Sequence, residues 1–315
     1  MEHGVKSESC LRANIDCTIR VWDGRAILHD VFLPNVPRLS ALSDKVVSTF
    51  WPVLVAGSRA LTPRLALDTI APVLVLGNQK TGSTAIAELL AHRGQLRAAT
   101  DLHPLQSATV QVENDPASAT RLVQRLRYYF RRDLVKENEL TAATDALLEV
   151  LPRARPVFVV RHPVHNIRSI LDRLALPGRP RPFSALPLSG DGWERIVRGR
   201  DYGIEADDHI TALALRWVRT TAMYRRHPDR LHLVRYEDFV ADKLSTINTL
   251  AAQLGIEPKA DIRPLLDVPF QPRGDHRATA PRDFFSERAL AIIHDQCADG
   301  MDALHYEPIL DSSAS

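Results

Sequence analysis

The sequence predicts an α/β fold, with a central, mainly parallel sheet flanked by helices in three layers. Three observations predict it. Short, mainly apolar runs at residues 73–76, 156–161 and 231–236 have the length and composition of strands covered on both faces. Stretches of helical pattern separate these runs, so neighbouring strands must be joined by crossovers that leave them parallel. The first run ends at Gly77 and passes through small polar residues into a helical stretch at 85–90. Strand, Gly-bounded loop and helix is the layout of a phosphate-binding loop.

Composition sets the outer bounds. The chain has 315 residues, 45% of them hydrophobic and 25% charged, enough for one large α/β domain with a sizeable core. We read residues 1–70 as an N-terminal extension that packs on or caps a main domain at 71–315. A net charge of +2 is too small to argue for nucleic acid as a partner. Three cysteines without a CxxC pair support neither a disulfide framework nor a zinc site. No secretory pattern opens the chain and no run of 18 apolar residues suggests a spanning helix, so the expected location is cytoplasmic.

In the extension, Asp23-Gly24 reads as a turn, 26–33 as a strand or short helix, and 39–51 as a helix. After the loop helix, His92 to Gly94 mark a stop, and 95–100 reads as a short second strand followed by Asp101, Leu102, His103 and Pro104. Residues 116–135 have an amphipathic helical pattern, and 141–151 form another helix closed by Pro152. The strand at 156–161 leads into a helix over 164–174, with Pro163 suited to its first position. Four prolines in 177–189 make that stretch a loop, a candidate lid. Residues 191–226 read as mainly helical, with Trp217 in the core. The strand at 231–236 is followed by a helix over 241–254, with Glu237 and Asp238 as caps and Tyr236 as a packed residue at the strand end. A last helix covers 286–298.

Ligands of such sheets sit beyond the carboxyl ends of the strands. That edge gathers the loop 77–84, Asp101, Arg161 and Tyr236. In the loop, Gly77 and Gly82 keep the spacing of a Walker motif, but Ser83 stands where its Lys belongs, and the Lys lies upstream at Lys80. Ser83 and Thr84 supply hydroxyls at the helix start, where backbone N–H groups and the helix dipole favour an anion. The strand at 156–161 ends in Arg161 instead of a magnesium-binding Asp. Ser169, eight residues on, brings a hydroxyl to the same side. Arg161 and Ser169 make a second anion site, or else Arg161 pairs with a local carboxylate. Two separated anion sites without a metal fit a nucleotide that carries a 5′-phosphosulfate and a 3′-phosphate.

These residues also carry a family resemblance. The segment Gln79, Lys80, Thr81, Gly82, Ser83, Thr84 resembles the P-[KR]-[ST]-G-T-T loop of the PAPS-dependent sulfotransferases. Arg161 and Ser169 have that family's Arg-to-Ser spacing, and Arg235, Tyr236, Glu237, Asp238, Phe239 resemble its R-Y-E-D-L segment. Gln79 departs from the usual Pro, and Ser83 replaces a Thr. The resemblance covers about residues 71–300. It implies a P-loop-type fold that moves a sulfuryl group from PAPS to a hydroxyl or amine, leaving PAP. Lys80 would face the bridging oxygen, Thr81, Gly82, Ser83 and Thr84 would hold the 5′-phosphate, and Arg161 and Ser169 the 3′-phosphate. Arg277, in a late basic segment, would add to that second site.

The acceptor's proton needs a base. The K-T-H segment of the cytosolic aryl enzymes is absent, so the chain looks closer to the bacterial and carbohydrate-type members that use a carboxylate. Asp101 has the comparable position, and His103, better matched in pKa, is its competitor. Implied partners are a small-molecule or glycan/lipid acceptor, with no nucleic acid and no metal. A P-loop kinase or a non-catalytic nucleotide-binding protein of the same fold are the alternatives.

Overall fold

The computed structural model describes residues 18–22, 25–29, 63–105, 112–188, 192–271 and 279–309. The chain divides into two units, Met1–Pro63 and Arg64–Ser315. In the first, strands β1 (Thr18–Trp22) and β2 (Arg25–His29) pair antiparallel, Thr18 opposite His29. Residues 25–29 are therefore strand and not helix. The expected turn at Asp23-Gly24 and helix over 39–51 lie outside the described residues.

The second unit opens on β3 (Val73–Gly77), which leads through the Gly-bounded loop into α1 (Ser83–Gly94). Next come β4 (Ala98–Thr100), a 3-10 turn (His103–Leu105), α2 (Pro116–Arg125), the single turn α3 (Arg127–Phe130) and β5 (Leu134–Lys136). A 3-10 segment (Asn138–Ala143) runs into α4 (Thr144–Val150), followed by β6 (Arg155–Val160) and α5 (Pro163–Arg173). After α6 (Gly192–Val197) and a 3-10 turn (Arg200–Tyr202), α7 (His209–Arg226) returns to β7 (His232–Arg235). The chain closes with α8 (Tyr236–Ala241), α9 (Lys243–Gln253), α10 (Pro281–Phe284) and α11 (Glu287–Ala303). Among the described residues, no helix is long and apolar enough to cross a membrane.

The five strands of this unit form one sheet in the order β4-β5-β3-β6-β7, and every pairing is parallel. That is the α/β architecture expected from the alternation of runs and helices. Central β3 is buried along its whole length, as a parallel strand covered on both faces must be. Val73 and Val75 pack with Ile86, Leu89 and Leu90 of α1 and with Ile247 and Leu250 of α9 on one face. On β6, Phe158 stacks on Tyr224 of α7.

The helices begin where their capping chemistry dictates. Asp115 accepts from Ser118 N with Pro116 in the first position, Asp208 accepts from Ile210 N and Thr211 N, and Ser286 accepts from Ala289 N. Asp242 accepts from Ser245 N and starts α9, which fills the expected helix 241–254 but for its ends, whereas α8 is an additional short helix before it. Glu237 and Asp238 lie inside the first turn of α8 instead of capping it.

Two further boundaries differ from the sequence reading. The amphipathic stretch 116–135 is not one helix: it breaks at Leu126 and ends in the short strand β5, which inserts between β4 and β3. Within 191–226, only α6 and α7 are α-helical.

Gly77 pairs with Val159 on the neighbouring strand at φ 141°, and a Cβ built there would lie 2.3 Å from Val159 O. This contact is with backbone, which cannot move aside. Gly77→Ala is therefore expected to destabilise the domain by about 1–3 kcal/mol, read as a lowered urea midpoint at unchanged slope.

Candidate active site at the strand ends

All five strands deliver a polar residue or loop to the same sheet edge. β3 delivers residues 78–82, β4 Asp101, β5 Lys136 and Glu137, β6 Arg161, and β7 Tyr236. The loop after β3 is held by its carbonyls. Thr141 Oγ1 donates to Gly77 O at 3.0 Å and accepts from Gly77 N at 2.9 Å. Asn138 Nδ2 and Thr81 Oγ1 both donate to Asn78 O, at 3.0 and 2.9 Å. Asn166 Nδ2 donates to Gln79 O at 2.7 Å, and Arg161 Nη1 donates to Lys80 O at 3.2 Å.

The helix that follows has Gly82 at its N-cap, with no side-chain capping bond. The first N–H groups of an α-helix have no intrahelical partner, so this end of α1 offers donors and the positive end of a dipole to an anion. Gly82 adopts φ 87°, and a Cβ there would lie 2.4 Å from the Tyr236 ring. Lys80 is also left-handed, at φ 63°. The hydroxyls of the loop have separate tasks. Thr81 is spent on Asn78 O, Ser83 Oγ donates to Asn138 Oδ1 at 3.1 Å, and Thr84 Oγ1 accepts from Gln271 Nε2 at 2.9 Å.

Lys80, Gly82, Arg161 and Ser169 line one cleft of about 270 Å³, together with Arg168 and Tyr236. Loop lysine and strand-end arginine therefore share a cavity, as the spacing required. The Arg161 guanidinium lies 4.5 Å over the Tyr236 ring, and its carbonyl accepts from Trp217 Nε1 at 2.9 Å. Tyr236 is thus a wall of the cleft, a role its position in the sequence did not reveal. Arg277 lies outside the described residues.

Burial lowers the pKa of Lys80 from the ordinary lysine value, and Arg173, Arg161 and Lys136 lower it further, with Asp101 in partial opposition. Asp101 is thus close enough to act on Lys80, although it is not among the residues lining the cleft. Its carboxylate is ion-paired with the Lys136 ammonium, and its N–H donates to Lys136 O at 3.0 Å. Burial would lower Lys136, but Asp101, then Glu137 and Glu139, hold it above the ordinary value. His103 begins the 3-10 turn after β4.

Glu137 is buried at the end of β5. Its Oε2 accepts from Leu102 N at 2.5 Å, which ties the turn carrying Asp101 to the sheet. Burial and then the Glu139 carboxylate raise its pKa well above the ordinary value, with Lys136 opposing. An acid raised in the folded state contributes stability that is present below its unfolded pKa and lost as pH rises through the folded one. Glu137→Gln keeps the shape and an acceptor for Leu102 N. It is expected to flatten the decline of thermal midpoint from pH 5 upward, so that variant and wild type differ most on the alkaline side.

Several solved structures resemble the chain. The sulfotransferase domain from the curacin biosynthetic pathway is 16% identical over 76% of this chain and 99% of that one, with a TM-score of 0.47. Sulfotransferase STF9 from Mycobacterium avium is 15% identical over 84% and 83%, with a TM-score of 0.47. Mouse sulfotransferase SULT7A1, complexed with PAP, is 12% identical over 82% and 90%, with a TM-score of 0.39. No curated protein sequence matches the chain. Residues 108–261 match the model of the sulfotransferase family, a span that holds Arg161, Ser169 and Tyr236 and begins after the phosphate loop. Over that span, just under half of the chain, the sequence is similar to the sulfotransferase family.

Proposed function

We propose that the protein transfers a sulfuryl group from PAPS to a hydroxyl, or an amine, of a small-molecule or glycan/lipid acceptor, releasing PAP. The observation that carries this reading is the single cleft shared by Lys80, the uncapped start of α1, Arg161 and Ser169. Its two cationic ends suit a ligand with two anionic groups. No metal takes part in the reading, because β6 ends in a guanidinium where a magnesium-binding carboxylate would stand.

The bound donor supplies a labile sulfur–oxygen bond to phosphate. The N–H groups of Thr81, Gly82, Ser83 and Thr84 would hold the 5′-phosphate, and Arg161 and Ser169 the 3′-phosphate. Thr84 can add its hydroxyl proton, whereas the Ser83 hydroxyl is already committed to Asn138. Lys80 would stabilise the charge that grows on the bridging oxygen as the S–O bond breaks. The acceptor oxygen or nitrogen would form the new bond to sulfur and give its proton to a base, for which Asp101 and His103, two residues apart in the chain, are the candidates.

The reading commits to outcomes that a kinase would not give. Wild-type protein should bind 3′,5′-ADP by calorimetry without magnesium, and Arg161→Ala should weaken that binding at least tenfold, the loss of a charge-assisted contact. Magnesium-dependent ATP binding with phosphoryl transfer would sink the assignment. Lys80→Ala should lower the transfer rate from labelled PAPS by about 10²–10³ while 3′,5′-ADP still binds.

The pKa of Lys80 adds a pH signature. Its charge is present at neutral pH and lost as pH rises through a value below that of an ordinary lysine. The alkaline limb of kcat/KM, which reports the free enzyme, should fall earlier than 10.5 in the wild type.

A further inference from the structure

Arg216 of α7 is 1% exposed and has three partners. Its Nε donates to Asn78 Oδ1 at 3.0 Å, its Nη2 to Gln79 Oε1 at 2.8 Å, and its Nη1 to Asp201 Oδ2 at 3.3 Å. The Tyr202 ring lies 5.0 Å beneath it. The other oxygen of Asp201, Oδ1, stands 3.3 Å from Nε of Arg195, itself 1% exposed. Arg195 Nη2 in turn donates to Leu105 O at 3.0 Å and lies 3.7 Å from Glu139 Oε1. Leu105 is the last residue of the turn His103–Leu105, two residues beyond His103 and four beyond Asp101.

We infer that Arg216 and Arg195, clamped on the shared Asp201 carboxylate, are positioning residues that set the phosphate loop and the Asp101–Leu105 turn at a fixed separation. The inference rests on the proposed reading, in which the loop holds the donor and the turn carries the base. Neither arginine is among the residues lining the cleft, so each acts through the groups it holds. A buried ion network held for stability alone is often replaceable by apolar packing of equal volume. Here two of the three acceptors of Arg216 are side chains of the loop itself, directly before Lys80. Asn78 Oδ1, which Arg216 grips, also accepts from Gln79 N at 3.0 Å, so the guanidinium fixes the loop's entry. Meeting three acceptors with three different nitrogens suits the rigid fork of arginine; the compact ammonium of lysine cannot reproduce it.

The test compares wild-type protein with Arg216→Lys and Arg195→Lys by thermal melting, amide hydrogen exchange, 3′,5′-ADP affinity and sulfuryl transfer. Arg216→Lys is expected to fold, to exchange the amides of residues 79–86 at least tenfold faster, and to bind 3′,5′-ADP roughly tenfold more weakly. Arg195→Lys, which removes the hold on Leu105 O but leaves the contacts of Arg216 to Asn78 and Gln79, is expected to leave 3′,5′-ADP affinity within twofold while kcat falls roughly tenfold or more. That split between donor binding and turnover is what a merely structural role would not produce. If Arg216→Lys does not fold, Asp201→Asn takes its place, with both effects expected together. Loop exchange, affinity and kcat all within twofold of wild type in folded variants would overturn the inference. A wild-type protein that neither binds 3′,5′-ADP nor transfers sulfuryl would instead remove the donor assignment, and amide exchange in the variants would still decide whether the network holds the loop.

Discussion

A loop can turn its backbone N–H groups toward an anion only if its carbonyls are satisfied elsewhere, because buried backbone polar groups cannot be left unpaired. The segment 77–80 meets this condition four times in succession. Gly77 O takes Thr141, Asn78 O takes Thr81 and Asn138, Gln79 O takes Asn166, and Lys80 O takes Arg161. All but Thr81 come from segments after β5 and β6, the two strands that flank β3. The parallel order β5-β3-β6 thus does more than bury apolar surface. It brings the ends of three strands together so that two can hold the backbone of the third.

The same convergence concentrates positive charge. Arg173, Arg161 and Lys136 all act on Lys80, and burial leaves that repulsion poorly screened. An anion entering the cleft would relieve that repulsion. Tyr236 moderates the cost by placing its ring against the Arg161 guanidinium, an interaction that needs no counter-charge. The absence of a side chain at Gly82 is what lets that ring sit so close to the loop.

How much of this was legible in the sequence follows from the range of each interaction. The apolar runs of β3, β6 and β7 announced the parallel sheet, and the residues just beyond them, Lys80, Arg161 and Ser169, could be placed at one edge without coordinates. Strand β5 could not be seen. Three residues at the end of an amphipathic stretch show no period of their own, and only pairing with β3 and β4 on both sides makes them a strand. The grip on the loop was equally hidden. Asn78 meets Asn138, Asn166 and Arg216 across separations of 60, 88 and 138 residues, and nothing local marks a buried asparagine or arginine as a partner. Tyr236 read as packing because a strand-end aromatic usually is packing; its contact with Gly82 depends on the phosphate loop meeting the start of α8.

The missed strand also bears on the proposed base. At the end of β5, Lys136 and Glu137 both hold the turn after β4: the lysine through the Asp101 carboxylate and N–H, the glutamate through Leu102 N. Asp101 itself adopts φ 55°, a left-handed conformation that a non-glycine residue keeps only when its surroundings over-determine it. Three contacts from two adjacent residues do so. The arrangement fixes the carboxylate as a counter-ion of the buried Lys136 ammonium. The ion pair with Lys136 that positions the Asp101 carboxylate is thus the same contact by which β5 holds the turn.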